Sequence, residues 1–236
     1  MTASLDRNIV YPDSDGKPMA DNTKQFRWIV LFKENLECLF ADNPTVFVAG
    51  DLLWYPVEGS PDIRVAPDVF VVFDRPKGDR GSYRQWVENN VPPQVVFEIL
   101  SPGNTDKEMV KKQQFYDKYG VEEYYIYDPD DNELTGFQRR EGNLKSIDNI
   151  TDWTSPRLGI RFVLTDDTLK VYYPDGQPFL TTIELTEKAT QANLKAQKAQ
   201  LQAQQEKLRA DQTQLENERL RQLLRQAGIN IADNYH

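Results

Sequence analysis

A single carboxylate interrupts the most strand-like stretch of this chain. Val95-Val96-Phe97-Glu98-Ile99-Leu100 is otherwise a continuous apolar run, the pattern of a strand covered on both faces. An ionised glutamate in such a place costs several kcal/mol unless a lysine, an arginine or a metal ion stands beside it. Whatever fold the chain adopts must bring a cation to the middle of its own sheet. Alternation along the strand puts Glu98 on one face with Val96 and Leu100 and turns Val95, Phe97 and Ile99 to the other.

With 236 residues the chain can bury one sizeable core, and its first ~185 residues fit a single domain. The formal net charge of -9 and a sequence pI of about 4.8 argue against broad electrostatic attraction to nucleic acid or to an anionic membrane. Nucleic acid would be held locally, through a metal cation bridging acidic side chains to phosphate. The one cysteine, Cys38, cannot form an internal disulfide and suits a reducing cytoplasm; it falls in a predicted helix, where plain core packing is its expected role. The start does not read as a signal peptide and no run approaches bilayer-spanning length, so a cytoplasmic protein without a membrane partner is expected. The one histidine is His236, which excludes Ser-His-Asp and Cys-His nucleophile schemes and any histidine-bearing zinc site. Chemistry must rest on carboxylates, lysines or hydroxyls.

Residues 1–20 read as an irregular arm and 21–185 as the core domain. Apolar residues at Phe26, Ile29, Val30, Leu36 and Phe40 predict an amphipathic helix from Asp21 to Phe40, capped by Asp21 or Asn22 and stopped by Pro44. Strands are predicted over Thr45 to Ala49, Asp51 to Tyr55 and Ile63 to Phe73, then a long loop or short helix from Asp74 to Pro93. The central strand, Gln94 to Leu100, leads to a second helix from Asn104 to Tyr119 that Gly120 closes. Glu123 to Tyr127 and Glu133 to Arg139 form a hairpin, with shorter strands at Ile160 to Leu164 and Leu169 to Tyr173. This order is α+β or mixed α/β rather than a regular alternation.

From Thr186 to Ala227 there is neither Gly nor Pro, and Leu194, Leu201, Leu208 and Leu215 recur every seven residues, which predicts a long helix over 186–228 and a tail at 229–236. Positions three or four residues from those leucines are mostly Gln, Lys or Asp, so a coiled coil would lack its second apolar row and be weak or short. Leu220, Leu223, Leu224 and Ile229 thicken the apolar face toward the end. A homo-oligomer, a specific partner and a solvated single helix are all compatible with this pattern.

Three chemical features converge. Asp68, after Pro67, enters the strand Val69-Phe70-Val71-Val72-Phe73; Glu98 lies in the next strand; Lys112 lies on the helix that follows. Two carboxylates on neighbouring strands can hold a small hard cation, magnesium or manganese, through oxygen ligands. On the helix Met109, Lys112, Phe115, Tyr116 and Tyr119 form the inward stripe, whereas Lys107, Lys111 and Lys118 line the other side. Lys112 is therefore either half of a structural ion pair with Glu98 or part of a site. Asp51 is either a third carboxylate or a turn residue. Arg75, Lys77, Arg80 and Arg84 interleave with Tyr83 and Trp86, as in a solvated loop or a DNA clamp. The Ser101-Pro102-Gly103-Asn104-Thr105 turn either offers backbone amides to a phosphate or is an ordinary helix entry capped by Asn104 or Thr105.

Pro67-Asp68, then Glu98, then a nearby lysine resembles the metal-binding core of the PD-(D/E)XK nuclease superfamily. Arg64 to Val69, Val95 to Thr105, Lys112 to Tyr116 and Gly120 to Asp128 resemble one branch of it, the Uma-type putative restriction endonuclease family, across roughly Asp21 to Val171. The superfamily pattern has a lysine two residues after the glutamate, where this chain has Leu100; the Uma-type branch also lacks it and carries a lysine on the next helix, where Lys112 stands. The resemblance implies a restriction-endonuclease-like α+β core with a long C-terminal helix. It implies an endonuclease dependent on Mg2+ (or Mn2+) that hydrolyses DNA phosphodiesters, as a dimer or other homo-oligomer. Asp68, Glu98 and the backbone carbonyl of Ile99 would hold one or two ions, and Lys112 would orient water or stabilise charge on the phosphate. The acidic net charge and Leu100 support a different outcome, an inactive nuclease-fold scaffold assembling through its C-terminal helix. RNA cleavage would use the same chemistry.

Overall fold

Asn22 caps the first helix, its Oδ1 accepting the Gln25 amide at 2.9 Å, and α1 runs Thr23–Leu39. The computed structural model describes residues 9–14, 16 and 18–227. The chain continues as β1 (Val46–Gly50), β2 (Trp54–Tyr55), β3 (Val69–Phe73), β4 (Tyr83–Arg84), β5 (Val95–Ile99) and α2 (Asp106–Tyr119). Then come β6 (Glu123–Asp128), β7 (Glu133–Arg140), β8 (Asn143–Ser146), β9 (Asp152–Thr154), β10 (Arg161–Leu164), β11 (Leu169–Tyr172) and α3 (Thr182–Gln226). The result is the expected mixed α+β architecture with a long C-terminal helix. It divides into two units, Met1–Leu180 and Thr181–His236.

The main sheet has six strands in the order β1-β3-β5-β6-β7-β8. Only β5 and β6 run parallel, because α2 makes the crossover between them; the other neighbours are antiparallel. A smaller antiparallel sheet has the order β11-β10-β9, and β2 pairs with β4. All five residues of β5 are buried. On one face Phe97 stacks on Phe32 at 4.7 Å and Tyr125 at 5.4 Å, in a cluster with Val95, Ile99, Ile29, Leu36 and Phe162. On the other, Val96 joins Trp54, Phe70, Tyr116 and Tyr124. Each such side chain contributes roughly 1.5–3 kcal/mol by leaving water, so the two clusters hold β5 between them.

Several expectations shift. Asp51 is not in a strand; it has φ 46°, and its amide donates to the Asp68 carbonyl at 3.1 Å. The strand predicted over Ile63 to Phe73 shortens to β3, since Pro67 has no N–H to give a ladder. Asp74 to Pro93 contains β4 and turns but no helix, and β8 and β9 are additions. Helix α1 buries Gln25, Ile29, Phe32, Asn35 and Leu36, leaving Phe26 exposed. Cys38 also faces solvent rather than the core, because two residues beyond Leu36 is about 200° around the helix. Tyr11, in the predicted arm, lies 5.3 Å from the Tyr55 ring and 4.9 Å from that of Trp86.

Helix α3 begins before the expected 186 because Thr181 and Glu184 form a capping box. Leu194, Leu201, Leu208 and Leu215 are exposed along it. Ile229 and the tail at 229–236 lie outside the described residues. No helix among the described residues is long and apolar enough to cross a membrane.

Helix α2 starts at the Thr105 cap and ends at Gly120, which adopts φ 95° and donates its amide to the Tyr116 carbonyl. A Cβ there would lie 3.3 Å from Pro92 Cγ. Gly120→Ala should lower the unfolding free energy by about 1–2 kcal/mol in urea titrations; an unchanged midpoint would contradict the left-handed cap.

Candidate active site

The β3–β5 ladder runs as far as Val69 opposite Phe97, and Asp68 stands one residue before β3 begins. Its side chain prolongs the ladder where Pro67 cannot: Oδ2 accepts the Ile99 amide at 2.6 Å. The same register places Asp68 across from Glu98. Two buried carboxylates thus meet at one end of the central strand pair.

Glu98 is 2% exposed and is held at both oxygens. Lys112 Nζ donates to Oε2 at 2.7 Å, and the Tyr116 hydroxyl donates to Oε1. These residues are four apart on α2, so one face of one helix turn supplies both donors. Helix α2 therefore packs beside β5 as the lysine's position on the apolar stripe required.

Burial, then the charge of Glu98, holds the Asp68 carboxyl well above the ordinary carboxylate range. Burial alone would pull the Lys112 ammonium down, but the charges of Glu98 and Asp68 outweigh it and raise its pKa. The Tyr116 phenol is pushed well above its ordinary value by burial and by Glu98. The site therefore sets a lysine cation and a neutral phenol beside two carboxyls, and the charge of Glu98 disfavours ionisation of Asp68.

Above these groups opens a cleft of about 830 Å³ whose lining includes Asp68, Lys112, Gln25, Asp51, Arg64 and Lys111. Gln25, which no sequence motif singled out, is buried and donates from Nε2 to the Ile99 carbonyl at 2.8 Å. Its Oε1 accepts the Asp21 amide at 2.8 Å. Asp51 reaches the cleft from a turn. Lys111, assigned to the outer side of α2, also borders it.

The aromatic and basic residues of the loop after β3 do not line this cleft. They leave β3 at Phe73, the opposite end from Asp68. Tyr83 is fully buried and donates to the Val91 carbonyl at 2.6 Å, while Arg80 pairs with Glu88 at 2.7 Å and covers the Phe47 ring. The turn from Ser101 to Thr105 borders the cleft through Gly103 and Asn104; Asn104 Oδ1 accepts the Ser101 amide at 2.9 Å, and Thr105 is the cap.

Among the described residues no three His, Cys, Asp or Glu side chains form a metal-binding group. The donors available are the Asp68 and Glu98 carboxylates and the Ile99 carbonyl, all hard oxygens suited to magnesium or manganese. Asp68 Oδ1 accepts no hydrogen bond among the described residues, and the Ile99 carbonyl keeps a second lone pair beside its bond from Gln25. The residues fit a divalent cation.

A model of the Uma2 family, described as "Putative restriction endonuclease", matches residues 22–169. The chain belongs to that family. Among solved structures it is similar to a putative nuclease belonging to DUF820 from Anabaena variabilis ATCC 29413. The identity is 14% and the TM-score 0.45, over 61% of this chain and 77% of that one. No curated protein matches the chain.

Two stability measurements probe this arrangement. Lys112→Met strands Glu98 in the interior and should lower stability by about 3–5 kcal/mol in denaturant titrations, where a loss below about 1 kcal/mol would contradict the pair. Asp68 binds its proton more tightly folded than unfolded, where its pKa is about 3.9. Its contribution to stability is present below that value and is lost as pH rises through the raised folded pKa. In chelator-treated samples Asp68→Asn should therefore gain stability over the unsubstituted chain as pH rises from acid to neutral; parallel profiles would contradict the shift.

Proposed function

We propose that the chain is a metal-dependent endonuclease of the cytoplasm that hydrolyses DNA phosphodiester bonds in this cleft. The observation that carries the proposal is the meeting of Asp68 and Lys112, which line the cleft, with the buried Glu98 behind them, the ammonium 2.7 Å from Glu98. Membership of a family described as "Putative restriction endonuclease" supports it.

Asp68, Glu98 and the Ile99 carbonyl would hold Mg2+ or Mn2+. Such an ion, when bound, polarises the phosphate and lowers the pKa of water. Asp68 and Glu98 supply the negative charge that attracts it, and Gln25 steadies the Ile99 carbonyl. Lys112, on the cleft wall and held as a cation by the neighbouring carboxylates, stabilises negative charge on the phosphate oxygens or orients the attacking water. The cleft would take a polynucleotide backbone, and the exposed leucines of α3 would offer a face for pairing with a second copy, so that two sites address two strands.

One observation favours a second reading. Both Glu98 oxygens already have protein donors, and Leu100 occupies the position where the superfamily has its lysine, as in a scaffold whose old site has become a structural lock. Cleavage of plasmid and single-stranded DNA in Mg2+ or Mn2+ separates the two. Cleavage by the unsubstituted protein and its loss by about 100-fold or more in Glu98→Ala and Lys112→Ala is the expected result. No cleavage, together with no binding of Mn2+ in calorimetry, would contradict the proposal.

A further inference from the structure

Glu98 must hold its carboxylate in one plane if it is to act as a ligand, yet a glutamate has several free torsions. Lys112 provides attraction with little direction, since its ammonium is a compact charge with rotatable donors on a flexible stem. Its side chain keeps 18% exposure. Tyr116 differs. It is fully buried, its ring lies parallel to Trp54 within 3° at 6.3 Å, and Tyr124 packs against it at 4.9 Å. A ring so confined has one place to put its hydroxyl, and that place is Glu98 Oε1.

We infer that Tyr116 is a positioning residue for the cation site: its hydroxyl fixes the plane of the Glu98 carboxylate and thereby sets how tightly a divalent ion is held. This rests on Asp68 and Glu98 being cation ligands. The same packing marks the role as specific to one phenol. Tyr124, its neighbour in the same cluster, is fully buried with a hydroxyl that has no hydrogen-bond partner among the described residues. One of two adjacent phenols is thus committed to the carboxylate and the other to packing. Outer groups that orient metal ligands typically govern metal affinity 10- to 100-fold.

Tyr116→Phe keeps the ring and removes only the donor. Manganese titrations of the full chain by calorimetry, checked by the electron paramagnetic resonance signal of free Mn2+, should give a dissociation constant about 10- to 100-fold weaker than that of the unsubstituted chain, with Tyr124→Phe unchanged. Equal affinity in Tyr116→Phe would overturn the inference while leaving the cation site standing. Absence of Mn2+ binding by the unsubstituted chain would overturn the site itself and the inference with it. If Tyr116→Phe does not fold, proton NMR of the unsubstituted chain decides: a slowly exchanging Tyr116 hydroxyl that persists on adding Mg2+ supports the inference, and its loss overturns it.

Discussion

The carboxylate of Glu98 is the interaction on which the rest of the structure turns. A charge in the central strand is tolerable only because α2 brings an ammonium and a phenol to its two oxygens from a single helix face. That requirement fixes the height and rotation of α2 against the sheet, and the crossover through α2 is what makes β5 and β6 parallel in an otherwise antiparallel sheet. The opposite face of β5 has no such demand and packs as rings and branched chains against α1. One strand therefore carries an apolar core on one side and a polar site on the other.

Asp68 makes the arrangement asymmetric. Glu98 has one protein donor on each oxygen, whereas Asp68 has one backbone amide on Oδ2 and is held above its ordinary pKa by burial and by the neighbouring glutamate. A cation placed against both carboxyls would relieve the repulsion that α2 leaves unresolved. Lys112 cannot do this alone, since it is spent on Glu98 and only its longer-range field reaches Asp68. The physical tension in the site is thus between two carboxyls and one lysine.

Much of this was legible in the sequence, for definable reasons. The apolar run around Glu98 demanded a cation, and three- and four-residue spacing on the next helix pointed Lys112 inward; both are local periodicities. Tyr116 was placed on the same stripe, but periodicity says where a ring points and not which atom its hydroxyl meets. Gln25 was missed because its bond to the Ile99 carbonyl joins residues 74 apart in sequence, and a glutamine at the start of a helix usually reads as solvated. The aromatic residues of the loop after β3 misled in the opposite way: Tyr83 looked available for stacking because its fully buried packing against Phe47 and Phe70 is tertiary. The capping box of Thr181 and Glu184 was visible all along and marks where α3 begins.

On the proposed function, Asp68 and Glu98 face one cation. Anomalous diffraction at the manganese edge, from crystals grown with Mn2+, tests it most directly. An anomalous peak is expected within coordination distance of both carboxylates and of the Ile99 carbonyl, with the Tyr116 hydroxyl still on Glu98. Strong manganese peaks elsewhere and none at this position, with Glu98 held by Lys112 and Tyr116 alone, would contradict it.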